Sequence, residues 1–210
     1  MSLEEIKDLK DKMTPVLIKE VLEQQNLKID QKIVGLFQTQ KLLLTIMKMI
    51  NSVLDIDENE IAIKFMPAEA IVLGDLNDYS RGQNDYDALL EFYHRCYADF
   101  PDLNLNYPVW GFFSENRVKN GDWVWPDRFY FYNPEGRDRR PAALYAIGYT
   151  RGGYGQTGGL YERMIGYIDK NGFEICGDIY EEYPLNEVCV IDDTNYLIRV
   201  MITVREKKDS

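Results

Sequence analysis

The sequence has 210 residues, 45% of them hydrophobic and 13% aromatic, which is enough for one or two domains with a real apolar core. With 35 acidic against 24 basic side chains it carries a net charge of −11, a field that repels phosphate backbones and anionic membranes, so these residues by themselves suit neither DNA nor lipid. Three cysteines outside any Cys-x-x-Cys pair (Cys96, Cys176, Cys189) and a single histidine, His94, cannot assemble a zinc constellation; reduced thiols in a cytoplasmic protein are expected, with no metal and no cofactor. No basic-then-apolar leader and no apolar run approaching ~20 residues is evident, so export and membrane insertion are not expected.

The composition changes sharply near residue 60. Of 27 aromatic residues only Phe37 precedes that point, and of 15 glycines only Gly35 does. Residues 1–58 read as helix. Ser2-Leu3-Glu4-Glu5-Ile6-Lys7 has the form of a short capped helix, with Ser2 as N-cap and Glu5 three residues on. Thr14 and Pro15 then suit the N-cap and first turn of a long helix over about 15–54, roughly 60 Å at 1.5 Å per residue. Within it Leu22, Ile29, Leu36, Leu43 and Ile50 recur every seven residues, and Ile33, Met47 and Leu54 sit four after three of them, the a/d seam of a coiled coil. Such a stripe needs a partner. It packs either on its own globular domain or, the favoured reading, on a second copy, giving a homodimer through residues 15–54. Asn26 and Gln40 fall at seam positions, where a polar residue sets register at some cost in stability.

Residues 61–206 read as an α+β domain of strands with period-two alternation and two helices. The strands are Ile61 to Leu73, Pro108 to Ser114, Trp123 to Tyr132, Ala142 to Thr150, Phe173 to Tyr183 and Tyr196 to Val204; the helices are Asp85 to Asp99 and Gly159 to Lys170. The order is βαββ twice. Met66-Pro67-Ala68-Glu69-Ala70 resembles Arg140-Pro141-Ala142-Ala143-Leu144, and Gly111 after Val-Trp answers Gly177 after Ile-Cys, so a duplicated half-domain with helices outside and a shared cleft is expected. Arg137 to Arg140 reads as a charged, solvated loop, Thr150 to Gly159 as a glycine-rich turn into the second helix, and Arg205 to Ser210 as a tail.

Tyrosine and tryptophan crowd the second half, beyond what a core of this size needs, and buried phenols want hydrogen-bond partners. In Gly177-Asp178-Ile179-Tyr180-Glu181-Glu182-Tyr183, alternation puts Ile179, Glu181 and Tyr183 on one face and Tyr180 and Glu182 on the other. If Glu181 points inward, a carboxylate among rings offers a cation both charge pairing and ring faces worth roughly 0.5–2 kcal/mol each; otherwise it belongs to a solvated acidic edge. A buried glutamate beside tyrosine or tryptophan can also act as general acid or base, but no motif names a reaction, and His94 sits in a helix between Tyr93 and Arg95.

The ordered set Phe173-x-x-x-Gly177-Asp178-x-Tyr180-Glu181-Glu182-Tyr183-Pro184-Leu185-Asn186-Glu187, then Tyr196-Leu197-Ile198-Arg199-Val200, resembles the C-terminal half of GyrI-like effector-binding domains. Pro67-Ala68, Pro141-Ala142 and Tyr149-x-x-Gly152-x-Tyr154 are similar to the same family, although the histidine its members usually carry before the Gly-x-Tyr turn is missing. Together with the long heptad helix, the chain resembles a MerR-family transcription regulator without its winged-helix DNA-reading head: dimerisation helix plus effector domain. That resemblance implies a small-molecule effector, DNA contact only through such a head, and no catalytic residue. It also implies that Glu181 pairs with cationic, often drug-like ligands, with Tyr196 and either Tyr149 or Tyr154 as pocket lining; Tyr183 joins them as the residue that shares the face of Glu181, and Trp123, Trp125, Tyr130 and Tyr132 are added on physical grounds. The alternative is a stand-alone GyrI-like protein that sequesters or hydrolyses hydrophobic small molecules, since relatives of the domain include hydrolases using a tryptophan and a glutamate.

Overall fold

A computed structural model describes residues 14–80, 82, 84–100 and 108–208. The expected short helix at residues 2–7 lies outside the described residues, as do the last two of the tail. The chain divides into two compact units between Thr45 and Ile46.

The first unit is the greater part of α1 (Pro15–Asn51), 37 residues long. Thr14 caps it as expected: its hydroxyl accepts from the Leu17 N–H at 3.2 Å, and its carbonyl takes the first helical bond from Ile18 at 3.0 Å. The polar residues close their needs within the helix, Thr39 donating to the Gly35 carbonyl and Asn26 to Asp30. Its apolar residues do not: Leu22, Leu36 and Leu43 are 63%, 69% and 56% exposed, and no residue of α1 is buried. By length and composition alone α1 could cross a bilayer, contrary to the reading of the sequence, because scattered Lys, Gln and Asp residues dilute but do not abolish its hydropathy. The helix ends near its expected stop, and within the second unit Met49 packs against the core and Val53 is buried.

The second unit is one eight-stranded antiparallel sheet with helices on one face. Its elements are β1 (Ala62–Met66), β2 (Glu69–Leu73), α2 (Asp85–Asp99), β3 (Trp110–Phe113), α3 (Glu115–Lys119), β4 (Arg128–Tyr132), β5 (Asp138–Arg140), β6 (Ala143–Arg151), α4 (Gly158–Lys170), β7 (Phe173–Leu185) and β8 (Leu197–Glu206). The strand order β1-β6-β8-β7-β3-β4-β2-β5 contains the expected duplication. β2-α2-β3-β4 and β6-α4-β7-β8 are each βαββ, each orders its strands first-third-second, and the halves meet where β3 pairs with β7.

Connectivity forces this sheet to curl. β1 and β2 lie first and seventh in the order, yet only Pro67-Ala68 joins them, a link that spans at most about 11 Å. The same holds for β5 and β6, eighth and second, joined by Pro141-Ala142. Ala62 pairs with Ile147 and Met66 with Ala143; beyond the break, in the same register, Glu69 pairs with Arg140 and Ile71 with Asp138. Residues 62–71 and 138–147 are therefore two long antiparallel strands, each interrupted at a Pro-Ala pair whose proline has no N–H to donate to the ladder, and they close the sheet into a ring. The two Pro-Ala pairs noticed in the sequence face each other at this crossing.

Alternation assigns the two faces. Outward-facing Phe129 and Phe131 of β4 pack on Ala88, Phe92 and Cys96 of α2, which is capped by the Asn84 side chain. Outward on the other half, Leu160, Tyr161, Met164 and Ile168 of α4 are buried, at the spacing of one helical face. Gly148 lets α4 lie close to the sheet: a Cβ there would stand 2.9 Å from Met164 Sδ and 3.0 Å from Leu160 Cδ1. The inner face carries Phe112, Tyr130, Tyr180 and Met201, in edge-on ring contacts such as Tyr130–Tyr180 at 5.4 Å.

Three expectations change. The strand expected from Trp123 begins only at Arg128, since Pro126 interrupts it, so Trp123 and Trp125 sit on a loop. The expected solvated loop at 137–140 contains β5, and Arg140 is completely buried. The expected tail is partly structure, with β8 running to Glu206 and Arg205 Nε meeting Glu174 at 2.6 Å.

Candidate functional site

β7 presents two adjacent glutamates to opposite faces of the sheet, and each is buried against tyrosine hydroxyls. On the outer face Glu181, 4% exposed, accepts from Tyr183 Oη at 2.6 Å and from Tyr161 Oη of α4 at 3.2 Å. The Trp123 indole lies parallel to the Tyr161 ring, centroids 5.2 Å apart and planes within 7°. Beside Glu181 its cross-strand partner is Gly111, where a Cβ would come within 3.3 Å of Pro126, so a bare backbone keeps the floor low next to the carboxylate.

The turn ahead of α4 closes over this cluster. Tyr154 sits on Tyr183 at 4.5 Å between centroids and beside Tyr196 at 5.5 Å, and its hydroxyl donates to Glu187 at 2.5 Å. Gly155, whose φ of +75° favours glycine, donates its N–H to Tyr183 Oη at 3.2 Å. The Tyr183 hydroxyl thus receives a bond from the turn and passes one to Glu181. Burial, reinforced by the charge of Glu181, pushes the Tyr161 and Tyr183 phenols well above their usual range, so both remain O–H donors at neutral pH. A carboxylate held this way, walled by stacked rings, is chemically matched to a cation with an aromatic body.

On the inner face Glu182, 1% exposed, accepts from Tyr130 at 2.9 Å and Tyr132 at 2.6 Å and forms a two-pronged ion pair with Arg199, whose Nε lies 2.9 Å away. Burial alone would raise this carboxyl, but Arg199 and the two phenols outweigh it and hold it below the ordinary carboxylate range. This is a closed, matched network.

The residues singled out in the sequence therefore separate. Glu181, Tyr183, Tyr154, Tyr196 and Trp123 come together on the outer face. Tyr130 and Tyr132 serve Glu182 instead, and Tyr149 pairs with Arg199 on that same inner face. Trp125 lies apart, 5.5 Å from Tyr79. Tyr161 was not foreseen, since one tyrosine on a helix gives no signal, whereas Arg199 could have been found as the charged residue inside the apolar run of β8. A separate cavity of about 190 Å³ between α2 and β2, lined by Gly74, Asp75, Phe92 and Arg95, contains none of the predicted residues. Among the described residues no group of three or more His, Cys, Asp or Glu gathers as a metal site, and all three cysteines are free thiols.

No family model matches the chain. It is 30% identical over 209 residues to the multidrug-efflux transporter 2 regulator of Bacillus subtilis (strain 168), covering 97% of this chain and 75% of that protein. Among solved structures, EcmrR in its DNA complex aligns with 99% of this chain and 78% of its own at 16% identity and a TM-score of 0.53. The EcmrR C-terminal domain aligns with 70% of this chain and 98% of its own, at 16% identity and a TM-score of 0.50. The fold is that of the GyrI-like effector-binding domain, and the sequence relative is a regulator. The chain belongs to the MerR family of transcription regulators, of which it carries the effector-binding portion.

Proposed function

We propose that this chain senses a lipophilic cation at Glu181 and dimerises through residues 15–54, passing the ligand state to winged-helix heads that read DNA. The observation that carries the reading is a carboxylate 4% exposed, bonded by Tyr183 and Tyr161, with Trp123 stacked on the latter. An organic cation reaching Glu181 replaces the Tyr183 hydroxyl as its partner, and Tyr183 is the group that ties Gly155 and its turn to the sheet. Binding and turn position are thereby linked, and an effector that favours one arrangement shifts the population by its differential affinity. The exposed stripe of Leu22, Leu36 and Leu43 fits a helix–helix partner, and a regulator that works on DNA belongs in the cytoplasm.

The test is a titration of the protein with quaternary aryl ammonium and phosphonium ions and matched neutral analogues, reading tryptophan emission in the parent and in Trp123→Phe. Saturable quenching by the cations that requires Trp123 supports the reading. Quenching that ignores ligand charge, or turnover of ester probes, contradicts it.

A further inference from the structure

Glu187 lies two residues beyond the end of β7 and is exposed. Its backbone is held by a turn that Asn186 builds: the Asn186 side-chain oxygen accepts from the Val188 N–H at 3.1 Å, and its carbonyl accepts from the Cys189 and Val190 N–H groups at 2.8 and 2.9 Å. The Glu187 carboxylate accepts from the Tyr154 hydroxyl at 2.5 Å. Among the described residues no cationic side chain pairs with it. Its surroundings are tyrosines. Burial first, and the charge of Glu187 next, raise the phenols of Tyr93 on α2 and of Tyr196 ahead of β8, so this carboxylate faces elements of both half-domains.

Tyr154 stands between Glu187 and Glu181. Its ring lies on Tyr183, whose hydroxyl bonds Glu181, and its own hydroxyl bonds Glu187. Tyr183 and Tyr196 are each only 7% exposed, whereas Tyr154 is 54% exposed, so the Tyr154 ring is open to a molecule arriving from solvent. A neutral phenol gives Glu187 a hydrogen bond but no opposite charge. An organic cation laid against Tyr154 supplies that charge and meets a ring at the same time. The backbones of Glu181 and Glu187, six residues apart, are separated by at most about 20 Å, a span that a rigid aromatic molecule with a charge at each end can bridge.

We propose that Glu187 is a second, outer cation anchor and that the effector class of this protein is an aromatic dication, with one charge at Glu181, the other at Glu187 and its body along Tyr154. The inference rests on the Glu181 reading for the inner charge only. A dication replaces the Tyr183 hydroxyl at one carboxylate and the Tyr154 hydroxyl at the other, and these are the two phenols that hold the turn ahead of α4. Joining both charges in one molecule makes the second contact intramolecular, which multiplies affinity.

The probes are a biphenyl carrying a trimethylammoniomethyl group at each end and the matched monocation with methyl in place of one of them. Each is titrated calorimetrically into the full chain and into Glu187→Gln, Glu181→Gln and Glu135→Gln, the last removing one exposed charge from the loop between β4 and β5. The parent is expected to bind the dication at least about tenfold tighter than the monocation. Glu187→Gln removes that preference by weakening the dication, Glu135→Gln keeps it, and Glu181→Gln weakens both probes. Equal affinity of the parent for the two probes, or a preference that survives Glu187→Gln, overturns the outer anchor. So does an equal loss in Glu135→Gln, which would mean that net charge alone is at work. Monocation binding untouched by Glu181→Gln overturns instead the Glu181 reading and, with it, the inner half of the dication's site.

Discussion

Replacing Arg199 with methionine tests the inner network quantitatively. Arg199→Met keeps the apolar stem and removes the guanidinium that meets Glu182, leaving a carboxylate whose side chain is 2% exposed with only the Tyr130 and Tyr132 hydroxyls named above as donors. Removing one partner of a buried pair costs 3–5 kcal/mol as a rule. Because the Arg199 side chain is 20% exposed, solvent already screens part of the attraction, which sets the expected loss at about 3 kcal/mol, or roughly 6–12 °C in Tm for a domain of this size. Urea unfolding followed by tryptophan emission measures it in the parent, Arg199→Met, Glu182→Gln and the double variant. The double variant should be more stable than the sum of the single losses by at least about 1 kcal/mol, since it leaves no stranded charge. Acid adds a second signature. The folded Glu182 carboxyl lies below its ordinary value, so its contribution is complete above the unfolded carboxyl pKa near ~4.3 and fades as pH falls through the folded value. Without Arg199 the buried carboxyl takes up its proton at a higher pH than in the parent, so the gap between parent and Arg199→Met should shrink steadily as pH falls and be smallest once the parent's own Glu182 is protonated. A loss under about 1 kcal/mol at pH 7, or a gap indifferent to acid, would refute the reasoning.

Two further outcomes follow from the packing. Gly148→Val drives a side chain into Met164 and Leu160 and should lower stability by about 1–3 kcal/mol, read by thermal denaturation; a neutral result would mean that α4 does not sit on the sheet this closely. Leu36→Glu with Leu43→Glu places charge on the apolar stripe of α1 and should convert a dimer to a monomer by light scattering, while the circular dichroism of the sheet unit is kept; an unchanged mass would remove the helix from the dimer interface.

The sequence made the large divisions legible because they rest on composition and period. The helix region with its single aromatic and single glycine follows from composition, and the bounds of α2 and α4 and the opposition of Glu181 to Glu182 follow from spacing. The repeated Pro-Ala was visible as a likeness, but not as a crossing, since only the register between residues 62–71 and 138–147 reveals that the two pairs face each other. Arg140 was misread because a run of four charged residues looks solvated, and nothing local shows that its fourth member is buried with its guanidinium over the Tyr145 ring. The site aromatics were found as a crowd but not sorted. Tyr130, Tyr132 and Tyr149 share a type with Tyr154 and Tyr183, and the side of a curled sheet each one occupies is set by pairing that is long-range in sequence.

The central claim is that Glu181 recognises the charge of the effector. Affinity of the parent and of Glu181→Gln for a lipophilic cation and for its matched neutral analogue, measured by calorimetry with the fold checked by circular dichroism, tests it most directly. The account predicts that the parent prefers the cation and that Glu181→Gln loses about 10- to 100-fold for the cation, or about 1.4–2.8 kcal/mol, with little change for the neutral analogue. Equal binding of the cation by both proteins would contradict it.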